Sequence, residues 1–170
     1  MMNFFEFHEN ILRDDFFEKY LDDKLSKKSK KIITKVYYTD KNKVAIIKSG
    51  LFICERQSII LKKGDYIYNQ DTELVAIETG EIQEFNVTEL VSLLEKEELL
   101  SNFYLVLVNQ YYKRIHFLKS MVSFSSRDRV KFLLERINVY ATNELDVYDI
   151  GIRQVARFCN CSLNTVKKAM

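Results

Sequence analysis

The chain has 170 residues, 47% of them hydrophobic, with 26 Lys or Arg against 24 Asp or Glu and a formal net charge of +2. That length holds one sizeable domain, or a sensor with a small second domain, and the apolar fraction is ample for a packed core. Near-balanced charge says little about nucleic acid by itself, although from Arg127 onward eight Lys or Arg stand against five Asp or Glu.

At the start, residues 1–10 lack the positive head and continuous apolar run of a signal peptide. Phe4, Phe5, Phe7, Ile11, Leu12, Phe16, Phe17, Tyr20 and Leu21 recur at helical spacing among Glu and Asp. They predict one or two amphipathic helices packed on the next part of the chain. The lysines at 24, 27, 28, 30 and 31 read as a solvated loop rather than a nucleic-acid patch, because no aromatic residues interleave them. Residues 31–85 then break into short β-branched and aromatic segments at intervals of roughly ten residues. These are 32–38, 44–47, 51–54, 58–61, 66–68, 74–77 and 82–85, and they predict an antiparallel sandwich or roll.

Asn86 is placed to cap a helix through Leu90, Val91, Leu93 and Leu94. A long helix is predicted over residues 100–124. In it Tyr104, Val108, Tyr111, Ile115, Leu118 and Val122 are spaced 4, 3, 4, 3 and 4 apart, a heptad seam suited to self-association, with a buried core helix as the alternative. A second stripe, Phe103, Leu107, Phe117, Met121 and Phe124, is free to lie against the roll. Ser125 to Asp128 caps the next helix, which carries Val130, Phe132, Leu133, Leu134 and Ile137 and ends at Thr142-Asn143. A short extended piece is predicted over 145–148.

Residues 152–170 read as a helix-turn-helix, against a plain surface helical hairpin. Ala156 is small where a second helix must approach, and Val155 and Cys159 share an apolar face at i and i+4. Asn160 enters the left-handed region at low cost, so it can make the turn. Ser162 is placed as the next N-cap, and Val166 and Ala169 point inward. Leu163, Asn164, Lys167 and Lys168 are left outward. With Arg153 and Arg157 they form a basic face without an acid among them, which suits phosphate contact.

Three cysteines (Cys54, Cys159, Cys161) make no disulfide framework and fit a reducing compartment. Cys159-x-Cys161 lacks the second pair or nearby His that a tetrahedral metal site needs, so core packing is the expected role. His8 and His116 leave little material for a metal or a catalytic base, and no His lies in residues 31–85, so a cupin-like enzyme is not expected. No run reaches the roughly 20 apolar residues that span a bilayer. A soluble, cytoplasmic, non-enzymatic protein without cofactor, catalytic residue or metal ligand is expected.

The order of roll, long helix and helix-turn-helix resembles the Crp-Fnr superfamily of transcription factors, from about Val44 to Met170. Three segments carry the likeness. Residues 61–67 (LKKGDYI) are similar to the family's strand-turn ending in Gly-Asp, residues 127–134 (RDRVKFLL) to the helix after the dimer axis, and residues 161–166 (CSLNTV) to its turn and recognition-helix start. The resemblance implies an α+β fold: a cyclic-nucleotide-binding-like jelly roll with flanking helices, a long dimerisation helix and a C-terminal helix-turn-helix. It implies a roll domain over 1–99, a dimerisation helix over 100–125 and a DNA-binding part over 126–170.

By the same resemblance, Arg153 and Ser162 match contacts to DNA phosphate, and Leu163, Asn164 and Lys168 match base-reading positions; Thr165 and Lys167, on the same helix, are expected as further phosphate contacts. Family members often carry Arg and Glu at the first two reading positions, so the target sequence here should differ. Asn suits adenine, Leu a thymine methyl and Lys guanine. Cyclic-nucleotide binders continue from the Gly-Asp turn with Gly-Glu, a short helix and an Arg that clamps the phosphate. Residues 68–74 (YNQDTEL) have no Arg and offer acids instead, so cyclic-nucleotide dependence is not expected. Nor is there an N-terminal cysteine cluster for an iron-sulfur centre.

The expected protein is a homodimeric regulator binding a palindromic operator in double-stranded DNA, with a small-molecule effector left open. The sequence ends at Met170 without the β-wing usual in such folds. That leaves as the alternative a sensor or dimerisation module, binding a ligand or sequestering subunits without productive DNA binding.

Overall fold

The computed structural model describes residues 16–25, 28–68 and 73–170. The N-terminal part of the aromatic stripe, Lys27, and residues 69–72 of the loop without Arg lie outside the described residues.

The chain forms helix α1 (Phe16–Lys24), eight strands, and then six helices among the described residues. The strands are β1 (Lys28–Ile33), β2 (Val36–Tyr38), β3 (Lys43–Ile47), β4 (Leu51–Cys54), β5 (Ile59–Leu61), β6 (Tyr66–Tyr68), β7 (Glu73–Glu78) and β8 (Gly80–Asn86). The helices are α2 (Val87–Lys96), α3 (Leu100–Ser123), α4 (Ser126–Tyr140), α5 (Val147–Ile150), α6 (Ile152–Phe158) and α7 (Leu163–Ala169). The strands make two four-stranded sheets, ordered β1-β8-β3-β6 and β2-β7-β4-β5, antiparallel at every pairing. The fold is therefore α+β, built on an antiparallel roll.

Three hydrophobic layers hold it together. Inside the roll lie Tyr37, Ala45, Ile47, Phe52, Cys54, Leu61, Leu74 and Ile82. Outside the first sheet, Val44, Ile46 and Phe85 meet Phe17 and Leu21 of α1, Leu90 and Leu94 of α2 and Phe103 of α3. Outside the second sheet, Leu51 and Ile53 join Met121 and the buried residues of α4 to α7. Strands β3 and β4 thus have cover on both faces, which explains why they read as continuous apolar runs rather than alternating ones. At the β3–β4 turn, a Cβ on Gly50 would stand 2.4 Å from the Gly80 Cα, and one on Gly80 would stand 2.2 Å from the Ser49 carbonyl oxygen. Only two glycines let these turns meet.

Three expectations need correction. The lysine run is not a loop: 28–33 is a strand along β8, with Lys30 on Glu81 at 3.1 Å and Lys31 on Glu84 at 2.6 Å. Residues 32–38 are not one strand, because β1 and β2 belong to different sheets. Residues 145–148 do not continue as an extended piece. Asp146 accepts from the Tyr148 and Asp149 amides while the Asp149 carboxylate accepts from the Asp146 amide, a reciprocal capping box that starts α5.

The expected caps are present. Asn86 accepts from the Thr88 and Glu89 amides, and Ser125 Oγ from the Asp128 amide. No helix among the described residues is long and apolar enough to cross a membrane.

Candidate nucleic-acid interface

The C-terminal helices are placed by local backbone chemistry. Gly151, at φ +99°, joins α5 to α6, where a Cβ would meet the Gln154 side chain at 2.4 Å. Helix α6 ends at Cys159, and Asn160 takes φ +46°, the left-handed turn its residue type tolerates. The Cys161 amide then donates to the Ala156 carbonyl at 2.9 Å. Ser162 Oγ accepts from the Thr165 amide at 3.0 Å and starts α7. Val155, Ala156, Phe158, Cys159 and Val166 close a buried core with Val130, Leu133 and Ile137 of α4.

The outward face is set by that core. Leu163, Asn164, Lys167 and Lys168 are exposed, Thr165 is half-buried, and Arg153 is exposed on α6. Arg153, Ser162 and Leu163 line one shallow depression between the two helices, beside Arg157. Thr165 Oγ1 is 2.9 Å from Ser162 Oγ, so the two hydroxyls act as a pair. Lys167 and Lys168 stand in the last turn of α7, where the helix dipole favours cations.

The basic face has an acid after all. Arg157 Nη1 lies 3.3 Å from Glu55 Oε2, a carboxylate from the far end of β4 that no local pattern in 152–170 announces. Exposed as it is, this pair contributes no more than about 1 kcal/mol. Two firmer contacts seat the C-terminal helices on the roll: Ser58 Oγ donates to the Phe158 carbonyl at 2.8 Å, and Thr142 donates to Glu78 through its amide and hydroxyl.

Helix α3 runs over 24 residues, or about 36 Å, and holds the residues of both stripes except Phe124, its C-cap. On the seam, Tyr104, Tyr111 and Val122 are 65%, 55% and 78% exposed, while Val108, Ile115 and Leu118 are half-buried. Tyr111, Ile115 and Leu118 also line a pocket of about 310 Å³ against Tyr66, Ile67 and Leu74 of the roll. The second stripe divides between two partners. Phe103 meets Phe17 and Tyr66 edge-on, and Phe117 meets Phe132 and Phe158.

Gln110 is the residue that sequence reasoning missed. It is 4% exposed; its Nε2 donates to the Gly64 carbonyl and its Oε1 accepts from the Tyr66 amide, both at 3.0 Å. Arg114 Nη2 adds a bond to the Tyr66 carbonyl at 2.9 Å. The long helix is thereby tied to the backbone of the Gly-Asp turn. The signal was available, since Gln110 stands seven residues from both Phe103 and Phe117, at a buried heptad position.

Among the described residues no group of His, Cys, Asp or Glu could hold a metal ion. Burial pushes the Cys159 thiol up from 9.0 to about 12, and burial also raises Cys54 and Cys161. Folded Cys159 keeps its proton where the unfolded chain releases it. Its contribution to stability is full below pH 9 and is lost as the pH rises from 9 toward 12. Iodoacetamide at about pH 8 is expected to leave Cys54 and Cys159 unmodified in the folded chain and to label all three cysteines in urea. Labelling of Cys159 before unfolding would contradict this packing.

No family model matches the chain, and no curated protein matches it. Solved structures do. A cyclic nucleotide-binding domain containing protein from Listeria monocytogenes EGD-e superposes with a TM-score of 0.64 at 16% identity, over 91% of this chain and 87% of that one. FixK2 from Bradyrhizobium japonicum gives 0.60 at 12% identity, over 85% and 82%. The c-di-GMP responsive global regulator CLP of Xanthomonas campestris gives 0.60 at 13% identity, over 90% and 87%. The chain shares its fold with these structures. Gln110 thus grips the Lys63-Gly64-Asp65 turn, while Tyr104, Tyr111 and Val122 stand exposed on the same helix.

Proposed function

We propose that this chain is a DNA-binding transcription regulator of the Crp-Fnr type, acting in the cytoplasm as a homodimer on a palindromic site. The observation that carries it is the assembled helix-turn-helix: a buried Val166 core, and an outward face of Leu163, Asn164, Lys167 and Lys168 beside Arg153. The roll over 1–99 positions the dimer helix over 100–125, and pairing along Tyr104, Val108, Tyr111, Ile115, Leu118 and Val122 sets the spacing of two reading helices carried by 126–170. In this reading Leu163, Asn164 and Lys168 read base edges, while Arg153, Ser162, Thr165 and Lys167 contact phosphate.

The regulator is proposed to work without a cyclic nucleotide. Residues 68–74 contain no Arg, the residue that clamps the phosphate in the family's cyclic-nucleotide binders, so a cyclic phosphate at that loop would lack its clamping cation.

Selection from a randomised duplex pool, with anisotropy titrations on the winners, tests the assignment. Asn164→Ala is expected to cost about 1–3 kcal/mol on the selected sequence and to relax base preference at one position per half-site. Lys167→Ala is expected to weaken all sequences alike and to flatten the log–log salt slope by about 2, one phosphate per copy. Equal effects of both changes on every sequence would remove these roles. A failure to select any sequence would favour a sensor or dimerisation module instead.

A further inference from the structure

We propose that the groove between β5, α3 and α4 is a binding site for a small organic anion with a planar aromatic or apolar body. It adjoins the pocket beside the proposed dimer seam, sharing Ile59 and Arg114 with it, and uses none of the residues assigned to DNA, so it stands or falls independently of the DNA reading. Its volume, about 660 Å³, is in the range of small-molecule sites.

The chemistry comes from three elements. Phe117 of α3 and Phe132 of α4 stack on each other with centroids 5.5 Å apart at 25°, and with Ile59 of β5 they give the groove an apolar side. Two cations stand over rings at its rim: Lys62 Nζ lies 5.0 Å from the Tyr140 centroid and the Arg136 guanidinium 5.2 Å from that of Phe132. Among the described residues neither is paired with a carboxylate. The acid that lines the groove, Asp65, accepts from the Lys62 amide at 2.8 Å and is held by the turn. Arg114 and His116 line the same groove. A ligand whose apolar body sits against Ile59 and the exposed parts of the phenylalanines would carry its carboxylate or phosphate to Arg136 and Lys62, where charge-assisted bonds are strongest.

The groove also stays accessible in the proposed dimer. At 100° per residue, Asn109, Lys113 and Ser120 of the groove lie on the side of α3 opposite the seam from Tyr104 to Val122.

The test uses 8-anilinonaphthalene-1-sulfonate and its uncharged counterpart N-phenyl-1-naphthylamine, monitored by fluorescence on the full chain. One sulfonate probe per chain is expected. The Lys62→Gln/Arg136→Gln double variant should weaken it at least about tenfold while changing the neutral probe less than about twofold. Lys119→Gln, on α3 but outside the groove, should leave both unchanged. Benzoate and phenyl phosphate as competitors assign the anionic group by which of them displaces the probe. The proposal is overturned if the double variant leaves the sulfonate probe unchanged, if it weakens both probes alike, or if neither competitor displaces the probe.

Discussion

A chain carrying Tyr104→Glu and Val122→Glu is expected to sediment as a monomer where the unmodified chain sediments as a dimer. These two residues are the most exposed large apolar side chains of α3, at 65% and 78%, so charging them disturbs little packing within the chain. In a dimer, four carboxylates would be forced into an apolar seam. Each would be desolvated without a partner, at a cost of several kcal/mol. Ile115→Glu with Leu118→Glu should also give a monomer. Those side chains face the roll as well, however, so a loss of thermal stability should accompany the change in mass. An unchanged dimer in the first variant would refute the seam.

The second large effect concerns Glu84, a polar residue of β8 that is 2% exposed. Its Oε1 accepts from Lys31 Nζ at 2.6 Å and Tyr37 Oη at 2.8 Å, and its Oε2 from Lys43 Nζ at 2.7 Å. The hydrogen bond to Glu84 holds the Lys43 ammonium above its usual pKa, and burial, then the bond to Glu84, raises the Tyr37 hydroxyl. Glu84→Ala leaves the lysines free to turn to water, since both are partly exposed, but strands the buried Tyr37 hydroxyl and opens space beneath it. A loss of about 3 kcal/mol at pH 7 is expected in urea unfolding. Tyr37→Phe should recover part of it, because the orphaned hydroxyl goes. Strict additivity of the two changes would show that the hydroxyl does not depend on this carboxylate.

What could be read in the sequence was what the chain encodes locally. Asn160, Ser162 and Val166 fix the helix-turn-helix within a few residues of one another, and Asn86 and Ser125 cap their own helices. What could not be read depends on distant partners. Strand β1 looks like a solvated lysine loop until Glu81 and Glu84, some fifty residues on, stand opposite it. Glu55 reaches Arg157 across 102 positions. Gln110 reads as a polar interruption of an apolar stripe because its partners are backbone groups of a turn over forty residues away. Asp146 and Asp149 are the exception: their capping box was local and legible, yet the apolar Val147 and Tyr148 suggested a strand.

In the proposed dimer, paired reading helices engage DNA through cations set on its phosphates. The direct measurement is the affinity for a selected palindrome and for one isolated half-site as a function of salt. With Arg153 and Lys167 in each of two copies, log Kobs should fall against log salt with a slope of about −4, and the half-site should bind far more weakly. Absence of salt-dependent binding to any duplex, or equal affinity for half-site and palindrome, would contradict it.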